Sequence, residues 1–152
     1  MVKLLSRPMQ LTSPVFQHNT RIPSKYTCDG ENINPPLEFS DVSESAKSLV
    51  LIMDDPDAPM GTWVHWAIFN MDPLTRMING DEKPSGIEGM TSFGKPGYGG
   101  PCPPSSTHRY FFKLYALDIS FETSSVLDKK TIEEKMQNHI LEKAELVGLY
   151  GR

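Results

Sequence analysis

The run Ser48-Leu49-Val50-Leu51-Ile52-Met53 is apolar at every position after the serine. Successive side chains of a strand point to opposite sides of its sheet, so such a run fits only where both faces are covered. Its length favours a strand over a helix, because a buried helix needs about twice as many residues. Two further stretches share the property. In Trp63 to Met71, alternation puts Trp63, His65, Ala67 and Phe69 on one face and Val64, Trp66 and Ile68 on the other. In His108 to Leu117, it puts His108, Tyr110, Phe112 and Leu114 on one face and Arg109, Phe111, Lys113 and Tyr115 on the other. Three doubly covered strands, with 13 prolines and 11 glycines marking turns, imply a mainly β single domain spanning 1–152 rather than a helical bundle.

The remaining segments fit around those strands. Leu11 to Phe16 reads as an edge strand, since Pro14 cannot donate to a central ladder. Cys28-Asp29-Gly30-Glu31-Asn32 reads as a turn, and Asn34 to Phe39 as extended chain constrained by Pro35 and Pro36. Residues 72–107 are rich in loops, and a loop region that long in a small domain commonly carries function. One helix is expected, near the C-terminus. Thr131-Ile132-Glu133-Glu134 has capping-box spacing, Ile132, Met136, Ile140, Ala144 and Val147 follow at helical intervals, and Gly148 serves as its stop.

Charge and composition narrow the functional classes. A net charge of −4 without a basic cluster argues against a nucleic-acid partner. No apolar window approaches the roughly 20 residues that span a bilayer, so no stable membrane insertion is expected. The first eight residues lack a leader-like apolar core. Cys28 and Cys102 read as free thiols of a reducing compartment, with a single bridge as the alternative, and the expected location is cytoplasmic.

The chemistry concentrates in two blocks. Asp54-Asp55-Pro56-Asp57-Ala58-Pro59 places three carboxylates in four positions directly after the first strand. Close carboxylates repel unless a donor or cation compensates, and imidazoles are natural compensators. His65 and His108 each lie near the start of a strand beside an irregular loop. An imidazole oriented by Asp holds one tautomer, or stays protonated and prefers an anion. Gly99 and Gly100 offer backbone N–H groups that an anion can approach, although no P-loop pattern follows. His18 and His139 read as surface residues. No spacing of metal-ligand type supports a metal site, and Cys102 sits between two prolines with nothing to activate it as a nucleophile.

Taken together, Asp55-Pro56-Asp57-Ala58-Pro59, Trp63-Val64-His65-Trp66, Gly99-Gly100-Pro101-Cys102-Pro103-Pro104 and His108-Arg109-Tyr110 resemble the phosphatidylethanolamine-binding protein family, also called the Raf kinase inhibitor protein family. The resemblance runs from about Leu11 to Arg152, includes Tyr26-Thr27-Cys28-Asp29-Gly30-Glu31-Asn32, and is nearest to the bacterial YbhB/YbcL-type branch. It implies a β-sandwich with a few peripheral helices, a C-terminal helix among them. It implies a non-catalytic pocket for phosphate or a phospholipid head group, formed by Asp55, His65, Gly100, Pro103, Pro104, His108 and Tyr110, with Asp57 and Trp63 in support. No catalytic residue, metal or cofactor is implied. A phosphoprotein partner regulated in the manner of a kinase inhibitor, and a homodimer, are carried over from the family. The rival reading is a metal- or thiol-assisted hydrolase using Asp55, His65, His108 or Cys102. A third has loop 94–107 as the contact surface of a protein inhibitor.

Overall fold

A computed structural model describes residues 7–152, so most of the first eight residues, judged above to lack a leader-like core, lie outside the described residues. In chain order the strands are β1 (Gln10–Thr12), β2 (Thr20–Arg21), β3 (Leu37–Ser40), β4 (Ser48–Asp55), β5 (Trp63–Met71), β6 (Met77–Ile78), β7 (Ile87–Glu88), β8 (Thr107–Leu117) and β9 (Ile140–Gly151). One α-helix, α1 (Lys129–Met136), and a single 3-10 turn at Ser24–Tyr26 complete the set among the described residues. Six strands form the main sheet in the order β2-β9-β8-β4-β5-β7, and β1-β3-β6 form a smaller one. All pairings are antiparallel except β2 with β9. No helix is long and apolar enough to cross a membrane among the described residues.

The opening run behaves as its pattern requires. Leu49, Leu51 and Met53 enter the core between the sheets, with Phe39, Phe112 and Leu146. Val50 and Ile52 enter a second core on the other face of the main sheet, covered by Ile132 and Met136 of α1 and by Phe121. Every residue of β4 is buried. Strand β8 alternates as expected: Tyr110, Phe112 and Leu114 join the first core and Tyr115 the second.

Two expectations are corrected. The helix does not run on to Val147: it starts after Asp128, whose carboxylate accepts the Thr131 N–H, and ends at Met136. The chain then forms β9, the longest strand, with Ala144, Leu146 and Tyr150 facing the first core at a period of two. Gly148 is no helix stop. A Cβ there would collide with Ile22 and Phe16, where the β2 segment crosses β9. The second correction concerns β5. Met53 pairs with Trp66 but Asp54 pairs with Val64, so β5 carries an extra residue at His65. This bulge breaks the strict alternation. Ala67 and Phe69 face the second core as an alternating strand would have it, whereas His65 is turned to the same side as Trp66.

Candidate functional site

The bulge lies at one end of the main sheet, where β4 leaves it, β5 enters it and β8 begins. Seven of the nine predicted residues meet there. Asp55, Trp63, His65, Pro103, Pro104, His108 and Tyr110 line a cleft of about 210 Å³, joined by Ala58, Pro59, Phe93 and Cys102. Met60, at the tip of the 56–62 loop, is almost fully exposed at 96%.

The polar groups are wired from behind. Asp55 is 3% exposed and uses both carboxylate oxygens. One accepts from His108 Nδ1 at 2.7 Å, and the other accepts the Asp57 N–H at 2.8 Å. Asp57 is fixed in turn. Its carboxylate takes the Arg109 guanidinium in a two-pronged bond of 2.9 and 2.8 Å and the Arg109 backbone N–H at 3.0 Å. Arg109 holds the Asp57 carboxyl well below the usual range, at about 2. Thus the acidic turn after β4 is latched to the first residues of β8, and His108 is presented in one orientation.

The second imidazole is held by a different oxygen. His65 Nδ1 lies 2.7 Å from the Gly99 carbonyl, which can only accept, so Nδ1 carries the proton and Nε2 is the free end. His65 is 4% exposed. Burial pushes its pKa below the ordinary value, against weaker opposing effects from the Gly99 carbonyl and from Asp55 and Asp54. Tyr110 lies between the imidazoles, edge-on to His65 at 5.2 Å and stacked with His108 at 6.4 Å. Burial raises its hydroxyl pKa, so it remains a donor. The two Nε2 atoms and the Tyr110 hydroxyl find no protein partner among the described residues. The surrounding wall is mostly apolar, with Phe93 edge-on to both Trp63 and His65 at 5.5 Å.

Gly100 is placed differently from its expectation. It does not line the cleft, and its N–H donates to Asn32 Oδ1 at 2.9 Å, while the Gly99 N–H donates to the His65 carbonyl at 3.0 Å. Both N–H groups are spent on the protein, so neither is free to hold an anion. Gly100 matters for closeness, since a Cβ would strike Asn32 Oδ1 and the Tyr26 carbonyl.

The free-thiol expectation is also corrected: Cys28 and Cys102 form a disulfide across a separation of 74 residues. It removes the thiol form of the hydrolase reading and the support that free thiols lent to a reducing compartment. The bridge ties the 98–104 wall to the 24–32 turn. Hydrogen bonds reinforce the tie, from Tyr98 Oη to the Tyr26 carbonyl at 2.7 Å, from Cys28 N–H to the Pro101 carbonyl at 3.1 Å and from Arg152 Nε to the Pro103 carbonyl at 2.9 Å. Arg152 also donates to Asp29 at 2.9 Å. No group of three or more His, Cys, Asp or Glu side chains is arranged to hold a metal ion among the described residues.

Sequence reasoning missed Phe93, Arg109 and Asn32. Phe93 is an aromatic residue in a polar turn, which is itself a signal. Arg109 and Asn32 act through residues more than 50 positions away, which spacing does not display.

Comparison with known proteins bears on the fold and the family. The model of the phosphatidylethanolamine-binding protein family matches residues 12–151. A UPF0098 protein of Methanothermobacter thermautotrophicus is 47% identical over 150 residues, covering 95% of this chain and 99% of its own. A Chlamydia trachomatis structure, described as a phosphatidylethanolamine-binding protein homologue, superimposes with a TM-score of 0.93 at 42% identity over 95% of this chain and 98% of its own. Escherichia coli YbcL, described as a member of the mammalian family of that name, gives 0.88 at 27% identity over 96% and 99%. The chain belongs to the phosphatidylethanolamine-binding protein family.

Proposed function

We propose that the protein binds a small phosphorylated or otherwise anionic ligand in this cleft and does not transform it. The observation that carries the reading is the convergence of three unpartnered polar tips, from His65, His108 and Tyr110, on a cleft of about 210 Å³ whose remaining wall is largely apolar. Each imidazole is oriented from behind, one by a carboxylate and one by a carbonyl, as a binding site requires before its ligand arrives. A protonated imidazole donates through Nε2 to an anionic oxygen, and the Tyr110 hydroxyl donates beside it. The same chemistry accepts a phosphorylated side chain, so a phosphoprotein partner regulated in a kinase-inhibitor-like manner fits the reading, as does the name of the family.

Calorimetry with inorganic phosphate tests it. His108→Ala loses most of the binding; unchanged binding would show that the site is elsewhere. Affinity rises as pH falls from 8 toward 6, because a protonated imidazole attracts an anion and donates to it more strongly than a neutral one. A flat profile would remove the imidazoles from the reading.

A further inference from the structure

We infer that the Cys28–Cys102 bridge is a thiol–disulfide exchange site, opened and closed in the folded protein by a dithiol reductant, and that Arg152 equips it for this by stabilising the thiolate that opening releases. Such a site works whatever the cleft binds.

Three observations set this bridge apart from a buried structural one. Both cysteines are exposed, so an attacking thiolate reaches the sulfurs from solvent. Arg152 Nη2 lies 3.4 Å from Cys28 Sγ and 3.8 Å from Cys102 Sγ. A disulfide sulfur is a poor acceptor, whereas a thiolate is a full anion, so the guanidinium favours the open form over the closed one. The neighbouring charges leave that preference in place. Asp29 takes Arg152 at 2.9 Å on one oxygen and the Tyr150 hydroxyl at 2.6 Å on the other. Arg21, over the Tyr150 ring at 4.6 Å, adds a second positive charge to the cluster, and Lys25 and Glu31 pair with each other at 3.7 Å. Third, the bridge is not the sole tie between its two segments. The Cys28 N–H to Pro101 carbonyl, Tyr98 hydroxyl to Tyr26 carbonyl and Gly100 N–H to Asn32 Oδ1 bonds join the same segments. They keep the opened thiols side by side, at the high effective concentration that re-closure needs.

The exchange runs in two displacements. One thiolate of the reductant attacks one bridge sulfur, the S–S bond breaks, and the other protein sulfur leaves as a thiolate beside Arg152. The second reductant thiol, once deprotonated, displaces the first protein sulfur from the mixed disulfide. Two electrons pass to the protein, and the dithiol leaves as its own disulfide. Its two protons go to the protein sulfurs or, for a sulfur that Arg152 keeps as thiolate, to solvent. Cys102 lines the cleft, so opening turns part of the cleft wall from a cross-link into a thiol.

Equilibration of the full chain with reduced and oxidised dithiothreitol over a range of ratios tests this, with acid quench, alkylation and intact-mass counting of adducts. Both thiols are released while far-UV circular dichroism stays that of the folded protein, and oxidised dithiothreitol restores the bridge. Arg152→Gln makes reduction about tenfold less favourable, a shift of ~30 mV for a two-electron couple, and Arg152→Lys restores most of it. If Arg152 only held the wall, the sign would be opposite, because losing its bond to the Pro103 carbonyl would loosen the wall and ease opening. Arg152→Gln reduced as readily as the wild type, or more readily, would overturn the inference. So would thiols that appear only as the protein unfolds.

Discussion

Asp54 and Asp55 are neighbours in sequence, and both are buried, at 1% and 3% exposure. They serve opposite sides of one sheet. Asp54 points toward the α1 side, where Lys113 and Lys129 each place an ammonium 3.2 Å from Oδ2, and its other oxygen has no partner. Asp55 points toward the cleft, where N–H groups occupy both oxygens and the bond continues through His108 to an unpartnered Nε2. The first chain of contacts ends in two ammonium groups on the α1 side of the sheet. The second ends at an atom that faces a cavity. Burial alone does not separate a structural carboxylate from one that serves a site; what separates them is whether the hydrogen-bond path terminates inside the protein.

Four experiments strain this contrast, the largest effect first. Lys113→Met with Lys129→Met leaves a buried carboxylate uncompensated, and denaturant unfolding should show a loss of about 3–5 kcal/mol, with phosphate affinity of the folded protein unchanged. A drop in affinity would show that the back of the sheet is coupled to the cleft. Cys28→Ser with Cys102→Ser frees the loop wall and costs about 2–4 kcal/mol of stability. It also weakens phosphate binding; undiminished affinity would mean that the surrounding hydrogen bonds suffice to hold the wall. Asp55→Asn leaves the shape intact but presents an amide to His108. Calorimetry should register a binding loss of about 1–3 kcal/mol, while Asp54→Asn leaves binding alone. Similar losses for both variants would abolish the distinction. The smallest effect concerns Asp57. Its carboxyl is depressed to about 2, so its contribution is complete above its ordinary pKa near 3.8 and is lost as pH falls through 2. Arg109→Gln should therefore flatten the acid-unfolding profile between pH 4 and 2 and lower neutral-pH stability by the same amount, small because the ion pair is largely exposed to solvent.

Much of this was legible from residue order. Strands β4, β5 and β8 announced themselves because both of their faces are apolar, and the acidic turn and both histidines followed from their places at strand ends. Strand β9 did not, because Glu142, Lys143, Ala144 and Glu145 favour helix and Ile140, Ala144 and Val147 happen to fall at helical intervals. Its true signal was the period of two through Ala144, Leu146, Gly148 and Tyr150, enforced by pairing along the whole of β8. The disulfide was illegible for a different reason. Whether two thiols meet is decided by a Cα separation, here 5.4 Å, that the fold creates across 74 residues. Gly100 was assigned as an anion donor because glycine permits close approach; which partner approaches is a tertiary fact, and here it is Asn32.

The bulge at His65 has one more consequence. The second imidazole reaches the cleft through the count of residues between Trp63 and Trp66 rather than through its own chemistry. Deleting a single residue there would restore a regular ladder and carry the imidazole across the sheet, even with every ligand-facing side chain still encoded. The site is therefore written partly in chain length: a one-residue gap can erase it where many substitutions would only weaken it. A relative that keeps both histidines but lacks that extra residue would share the motif without the pocket.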